Sequence, residues 1–211
     1  MNNIVYEQYI ENFDLNLLNC TFIGKGHNGF VYLLPNDKII KICISEKSCR
    51  NEYLILDKIN KNKYFPKTYG MCGNYMIRDY VKGTILTNYI KHRGMDRNLV
   101  LKIIDLLKEF KKLNFSKEDI RCKDIMIQPD GTLMVIDPKK CYSKERNFPK
   151  HLSKGLYNLK VLDYFMSVLK EESPNLYNNW HLSITDYINE MQKEKEYEKK
   201  NNHRLLYTDN L

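Results

Sequence analysis

Three aspartates and one glycine-rich stretch carry the residue types in this sequence that could do chemistry. Asp119, Asp124 and Asp137 lie beside two short apolar runs, Ile125-Met126-Ile127 and Thr132-Leu133-Met134-Val135-Ile136. These runs read as two strands joined by a Pro129-Asp130-Gly131 turn. Carboxylates at strand ends suit two tasks: ligation of Mg²⁺, which prefers hard oxygens, and acceptance of a proton from a hydroxyl. Far upstream, Gly24, Gly26 and Gly29 stand in the order G-x-G-x-x-G, followed by Val31. With no Cβ in the way, such a loop brings backbone N–H groups close to a phosphate. Lys41 adds a cation, and Glu52, eleven residues on, a carboxylate able to fix it. The set describes the handling of a phosphorylated ligand: cradling it, neutralising it, and activating a hydroxyl beside it. Each member also has a plainer reading, since glycines mark ordinary turns and aspartates commonly end strands or cap helices.

The elements that position these residues separate two ways of using the glycines. In a dinucleotide-binding unit they open a helix. Here Phe30-Val31-Tyr32-Leu33-Leu34 continues as a strand, Pro35-Asn36-Asp37 turns, and Lys38 to Cys43 forms a further strand carrying Lys41. The loop therefore joins two antiparallel strands, with the lysine on the next one. Expected strands lie at 20–25, 29–35 and 38–44, and a helix capped by Ser45 runs to Asn60 with Tyr53, Leu56 and Ile59 as its stripe. A hairpin follows, with strands at 65–71 and 75–81 about a Gly73-Asn74 turn. Residues 4–19 read as a short helix and an extended lead-in. After Val81 the pattern turns helical, at 84–92, from Asp96 to Leu113, at 152–170 and at 176–195, and 139–150 are polar and aperiodic. This predicts an α+β chain with an N-lobe at 1–81 and a helical C-lobe at 82–211.

Over residues 15–165 the chain resembles the protein-kinase-like fold: two lobes, an antiparallel N-lobe sheet with one helix, and here a reduced helical C-lobe. The glycine loop with Val31 is similar to the family's phosphate-covering loop. Lys38-Ile39-Ile40-Lys41 is similar to its V-A-I-K strand, Glu52 to its helix-C glutamate and Asp79-Tyr80-Val81 to its hinge, with Arg78 at the gatekeeper. Asp119 matches the catalytic-loop aspartate, Asp124 the asparagine five residues on, and Asp137 the aspartate of D-F-G. The resemblance implies ATP as ligand, with Lys41 on its α- and β-phosphates, Glu52 fixing Lys41, and Met126 flooring the adenine pocket. It implies Mg²⁺ or Mn²⁺ held by Asp124 and Asp137, Asp119 as proton acceptor, and Arg121 where a lysine touches the transferring phosphate. Departures are Asp124 for asparagine, Lys117-Glu118 for His-Arg, Pro138-Lys139 for Phe-Gly, and Ile39 for alanine. Together with the short C-terminal half, they make the chain most similar to compact bacterial and archaeal kinases of the RIO-like type.

Bulk properties narrow the setting. Lysine and arginine number 34 against 26 acids, a net charge of +8 spread along the chain and mixed with glutamates. That distribution argues for a solvated surface rather than a nucleic acid site. No apolar run is long enough for a membrane span, and no secretory leader precedes the first strand. The six cysteines form no C-x-x-C pair and read as reduced thiols. The five histidines have no metal-like partner at short spacing. The expectation is a cytoplasmic serine/threonine protein kinase acting with ATP on an unidentified protein. Alternatives are a pseudokinase that binds without turnover, and a small-molecule kinase of the aminoglycoside or choline phosphotransferase type.

Overall fold

The computed structural model describes residues 9–10, 13–26, 29–138, 141–142 and 144–208, with side chains described from 13 to 198. The fold is α+β, with one five-stranded antiparallel sheet and, among the described residues, six α-helices. The chain separates into two compact units. One comprises Met1–Thr84 and Met126–Lys140, the other Ile85–Ile125 and Cys141–Leu211. The sequence division at 81/82 placed 126–140 with the later half. That stretch groups instead with the first unit, where Val135 N donates to Tyr64 O at 2.8 Å.

In the first unit, strands β1 (Tyr9–Ile10) and β2 (Leu15–Asn16) pair with each other. Of the short helix and lead-in expected over 4–19, residues 4–8 and 11–12 lie outside the described residues, and Tyr9–Ile10 is strand rather than helix. The main sheet contains β3 (Thr21–Gly26), β4 (Gly29–Leu34), β5 (Lys38–Cys43), β6 (Thr68–Cys72) and β7 (Tyr75–Asp79), in the order β3-β4-β5-β7-β6. Between β4 and β5 both Asn36 and Asp37 take positive φ, 61° and 54°, as a tight turn matched to strand twist requires.

Strand alternation then sorts the side chains. Ile40 and Ile42 turn to one face and pack with Leu17, Phe13, Leu15, Phe30, Tyr32 and Ile77. Each buried isoleucine there stabilises the unit by roughly 1.5–3 kcal/mol relative to exposure. Ile39, Lys41 and Cys43 turn to the opposite face. Helix α1 (Glu46–Lys58) packs there, capped by Ser45, which accepts from Ser48 N at 3.2 Å. Its buried positions are Cys49, Glu52 and Leu56. Glu52 thus lies on the inward stripe itself, rather than next to it.

A small sheet has the order β10-β9-β8, from Leu133–Val135, Ile125–Ile127 and Thr84–Ile85. The second unit contains α2 (Leu86–Arg93), α3 (Arg97–Lys112), α4 (Lys150–Asn158), α5 (Leu162–Glu172) and α6 (Pro174–Thr208). Asp96 caps α3 as its sequence implies, accepting from Leu99 N at 2.7 Å.

The single helix expected over 152–170 is two. Lys160 takes φ 60°, Lys160 N donates to Tyr157 O at 2.9 Å and Val161 N to Leu156 O at 3.0 Å. That paired return of donors to the last turn ends a helix, here with a lysine in the position glycine usually takes. Helix α6 extends past the expected end at 195 to Thr208, and Trp180, Ile184, Ile188 and Met191 form its buried stripe.

Candidate functional site

The predicted site residues divide between the two units. The first holds Gly24, Gly26, Gly29, Val31, Lys41, Glu52, Asp79, Val81, Met126 and Asp137; the second holds Asp119, Arg121 and Asp124.

In the first unit the three glycines are not equivalent. Gly29 has φ 144°, and a Cβ there would fall 1.9 Å from Ile42 O. The close approach of β4 to β5 therefore requires it. Gly24 and Gly26 have no such constraint: neither takes a positive φ, a Cβ on Gly24 would meet nothing within 4 Å, and one on Gly26 only Gly29 O at 3.9 Å. Neither fold nor packing explains why they are glycines. The space beside them is what a Cβ would fill and an anion could use. The loop tip, His27 and Asn28, lies outside the described residues.

Lys41 lies opposite Val31 on β4 and Met76 on β7. Its ammonium donates to both oxygens of Glu52, at 2.7 and 2.5 Å, with the two side chains only 9% and 3% exposed. Two of its three N–H donors are so engaged. Arg78 is also buried, on the same face as Lys41. Burial pushes its guanidinium down from its ordinary value, against the opposing fields of Glu52, Asp137 and Asp79. The same face thus holds two cations and at least two carboxylates. Beside them Cys43 and Cys49 share a thiol hydrogen bond. It pulls Cys43 down from the usual thiol range, and, with burial, pushes Cys49 up. Asp79 has a structural duty, accepting from Lys67 N at 3.0 Å and Tyr69 Oη at 2.7 Å. Val81 is buried, Met126 half-buried in β9, and Asp137 half-buried after β10.

In the second unit Asp119 is enclosed. Its Oδ1 accepts from His151 N at 2.8 Å and Leu152 N at 3.3 Å, the second and third residues of α4. Its Oδ2 is hydrogen-bonded to His151 Nδ1 and lies 3.5 Å from Arg146 Nε. The carboxylate has no exposed surface. It supplies the cap that Pro149, preceding α4, cannot.

Arg121 grips Asp124 with two nitrogens, Nη2 to Oδ1 at 2.9 Å and Nε to Oδ2. Between these two aspartates, Cys122 packs onto α4 where Gly155 has no side chain; a Cβ there would stand 2.5 Å from Cys122 Sγ. Burial pushes the Cys122 thiol up to about 12. No group of three or more His, Cys, Asp or Glu side chains is gathered for a metal among the described residues. Mg²⁺ commonly takes only one or two carboxylates alongside substrate phosphates, and Asp137 and Asp124 are of that chemistry. For Asp124 to ligate, Arg121 must turn away, and its side chain is partly exposed to allow this.

Arg146 and His151 escape a sequence reading because they lie in or beside the aperiodic 139–150 segment, about thirty residues from Asp119. The one signal is negative: a helix beginning after Pro149, with no Ser, Thr, Asp or Asn at its cap, must find its acceptor elsewhere. No helix of the described residues is long and apolar enough to cross a membrane. No protein-family model matches the chain, and no curated protein matches it.

Proposed function

We propose that this chain is an ATP- and Mg²⁺-dependent phosphotransferase of the compact kinase-like type, with a serine or threonine hydroxyl of a protein as acceptor. The observation that carries the reading is the buried Lys41–Glu52 pair, on the sheet whose glycine loop includes two glycines that the fold does not need. A buried ion pair is a poor way to gain stability, since desolvation offsets most of its attraction. Its retention has a better account in an ammonium held ready for anionic oxygens. Lys41 has one donor left for a phosphate, and Glu52 keeps that donor aimed.

Gly24 and Gly26 leave room for phosphate oxygens against the backbone of β3. Asp137, in the same unit as Lys41, would hold Mg²⁺, which would neutralise phosphate charge when bound. The test is transfer of label from γ-labelled ATP, with Mg²⁺ or Mn²⁺, to the chain itself or to a generic protein substrate, comparing wild type with Lys41→Met. Transfer abolished by Lys41→Met supports the reading; absence of nucleotide binding at millimolar ATP overturns it.

A second reading has its own observation. Asp119 has both oxygens engaged and no exposed surface, so it cannot receive a proton from a substrate as it stands. A nucleotide-binding protein without turnover fits that enclosure. It predicts saturable ATP binding, lost in Lys41→Met, with no transfer under any metal.

A further inference from the structure

Arg78 carries a fork of N–H donors into a buried position and leaves most of them unused. The residue is 6% exposed. Among the described residues its guanidinium makes one hydrogen bond, Nη1 to Asp79 O at 3.5 Å, at the outer limit for such a bond, and its Nε is buried with no partner. Thr68, opposite Arg78 on β6, likewise buries its Oγ1 without a partner. Buried donors that lack acceptors are costly, and folded chains keep few of them. Charge is not what this position lacks. Glu52 leads the carboxylates whose fields act on Arg78, followed by Asp137 and Asp79. Acceptors are what it lacks.

Strand register fixes where this guanidinium lies within the first unit. Directly opposed residues share a face, so Gly24, Val31, Lys41 and Met76 form one row across β3, β4, β5 and β7. Ile39, Arg78 and Thr68 form the next row, two residues along β5, about 7 Å away at the rise of a strand. The phosphate contacts proposed above use the first row. The second lies one step from it, within the length of a single nucleotide, and sets an apolar side chain, Ile39, beside the unused donors. A guanidinium fork pairs with two adjacent acceptors such as O6 and N7 of guanine. Adenine offers N7 but turns an amino donor toward the donor-only fork. Resting on the phosphotransferase reading, we propose that Arg78 reads the base of the bound nucleotide and makes the site prefer a 6-oxopurine triphosphate, GTP, to ATP. ATP remains a ligand through the phosphate contacts that the two share.

The experiment is isothermal titration of the full chain, with Mg²⁺, against ATP, GTP, ITP and 7-deaza-GTP. ITP keeps O6 and N7 without the 2-amino group, so it isolates the edge assigned to Arg78. In wild type, GTP and ITP are expected to bind about 5–150-fold more tightly than ATP, the effect of one good bidentate pair. 7-Deaza-GTP should lose part of that advantage. Arg78→Met should bring all four to about the same affinity, with ATP itself falling by no more than about tenfold for its one bond to N7. Should Arg78→Met fail to fold, Arg78→Gln decides in its place: its amide pairs with adenine N6 and N7, so the preference must vanish or turn toward ATP. ATP bound as tightly as ITP by wild type, as expected if water alone satisfies the guanidinium, overturns the proposal and leaves the phosphotransferase reading standing. A GTP advantage that survives the loss of Arg78 does the same. A chain that binds none of the four ends both.

Discussion

Removing Glu52 should destabilise the first unit more than removing Lys41, although the two form one ion pair. At the observed 2.7 Å, with an effective dielectric near 20, the attraction is about 6 kcal/mol before desolvation is subtracted. Breaking a buried pair by deleting one partner typically costs about 3–5 kcal/mol, because the other charge is stranded. The stranded charge differs in the two variants. Lys41→Met leaves Glu52 in the field of Arg78, a second buried cation, so part of the loss is recovered and about 1–3 kcal/mol is expected. Glu52→Gln leaves Lys41 and Arg78 buried together with one carboxylate fewer, and the full 3–5 kcal/mol should appear. The double variant Lys41→Met/Glu52→Leu should cost less than Glu52→Gln alone, because nothing remains stranded except Arg78.

The assay is urea unfolding followed by far-ultraviolet circular dichroism, comparing midpoints at constant slope. Tryptophan fluorescence is the wrong probe, since the one tryptophan, Trp180, belongs to the second unit. Equal losses for the two single variants, or a larger loss for Lys41→Met, would refute the reasoning by showing that Arg78 does not share Glu52.

Four further outcomes follow from other features. Gly29→Ala should cost at least about 2–3 kcal/mol, from overpacking against Ile42 O and from its backbone conformation. Gly24→Ala should leave the urea midpoint within about 0.5 kcal/mol yet weaken binding of a fluorescent ATP analogue; the reverse order would contradict the cradle. Asp119→Ala should lose about 2–4 kcal/mol in Trp180-monitored unfolding, from the vacated α4 cap and a half-buried Arg146 without its anion. Cys122 makes stability fall in alkali: the unfolded thiol ionises near 9 while the folded one stays protonated to about 12. The unfolded state therefore binds fewer protons across that window, and stability drops by up to about 1.4 kcal/mol per pH unit from this group. Cys122→Ala should lower the plateau but remove that share of the slope, as read by urea midpoints between pH 8 and about 11.

The first unit was readable because its signals are local. Strand alternation, the Asn36-Asp37 turn and the Ser45 cap each specify structure within a few residues, and they bring Lys41 and Glu52 together without reference to the rest of the chain. Where they failed, a side chain took a conformation its type seldom takes. Asn114 at φ 54° after α3 is a familiar helix stop, and the sequence reading ended the helix there. Lys160 does the same work after α4 at φ 60°, and nothing in a lysine announces it. The second unit's polar cluster was illegible for a different reason. Asp119, Arg146 and His151 meet through chain return across an aperiodic segment, and no periodicity or spacing encodes such a meeting. Glycine spacing likewise could not distinguish Gly29, needed for strand packing, from Gly24 and Gly26, which are not.

Helix α4 starts on a borrowed cap, and that gives the second unit its own thermal weak point. The first turn of a helix frays before the body melts, and here fraying withdraws His151 N and Leu152 N from the carboxylate that also aligns the imidazole. Alignment of the ring and closure of that turn are one event rather than two. Heating should therefore blur the ring's orientation at temperatures where Trp180, fully buried at the head of the α6 stripe, still reports an intact core. The molecule would lose its aim before it loses its shape.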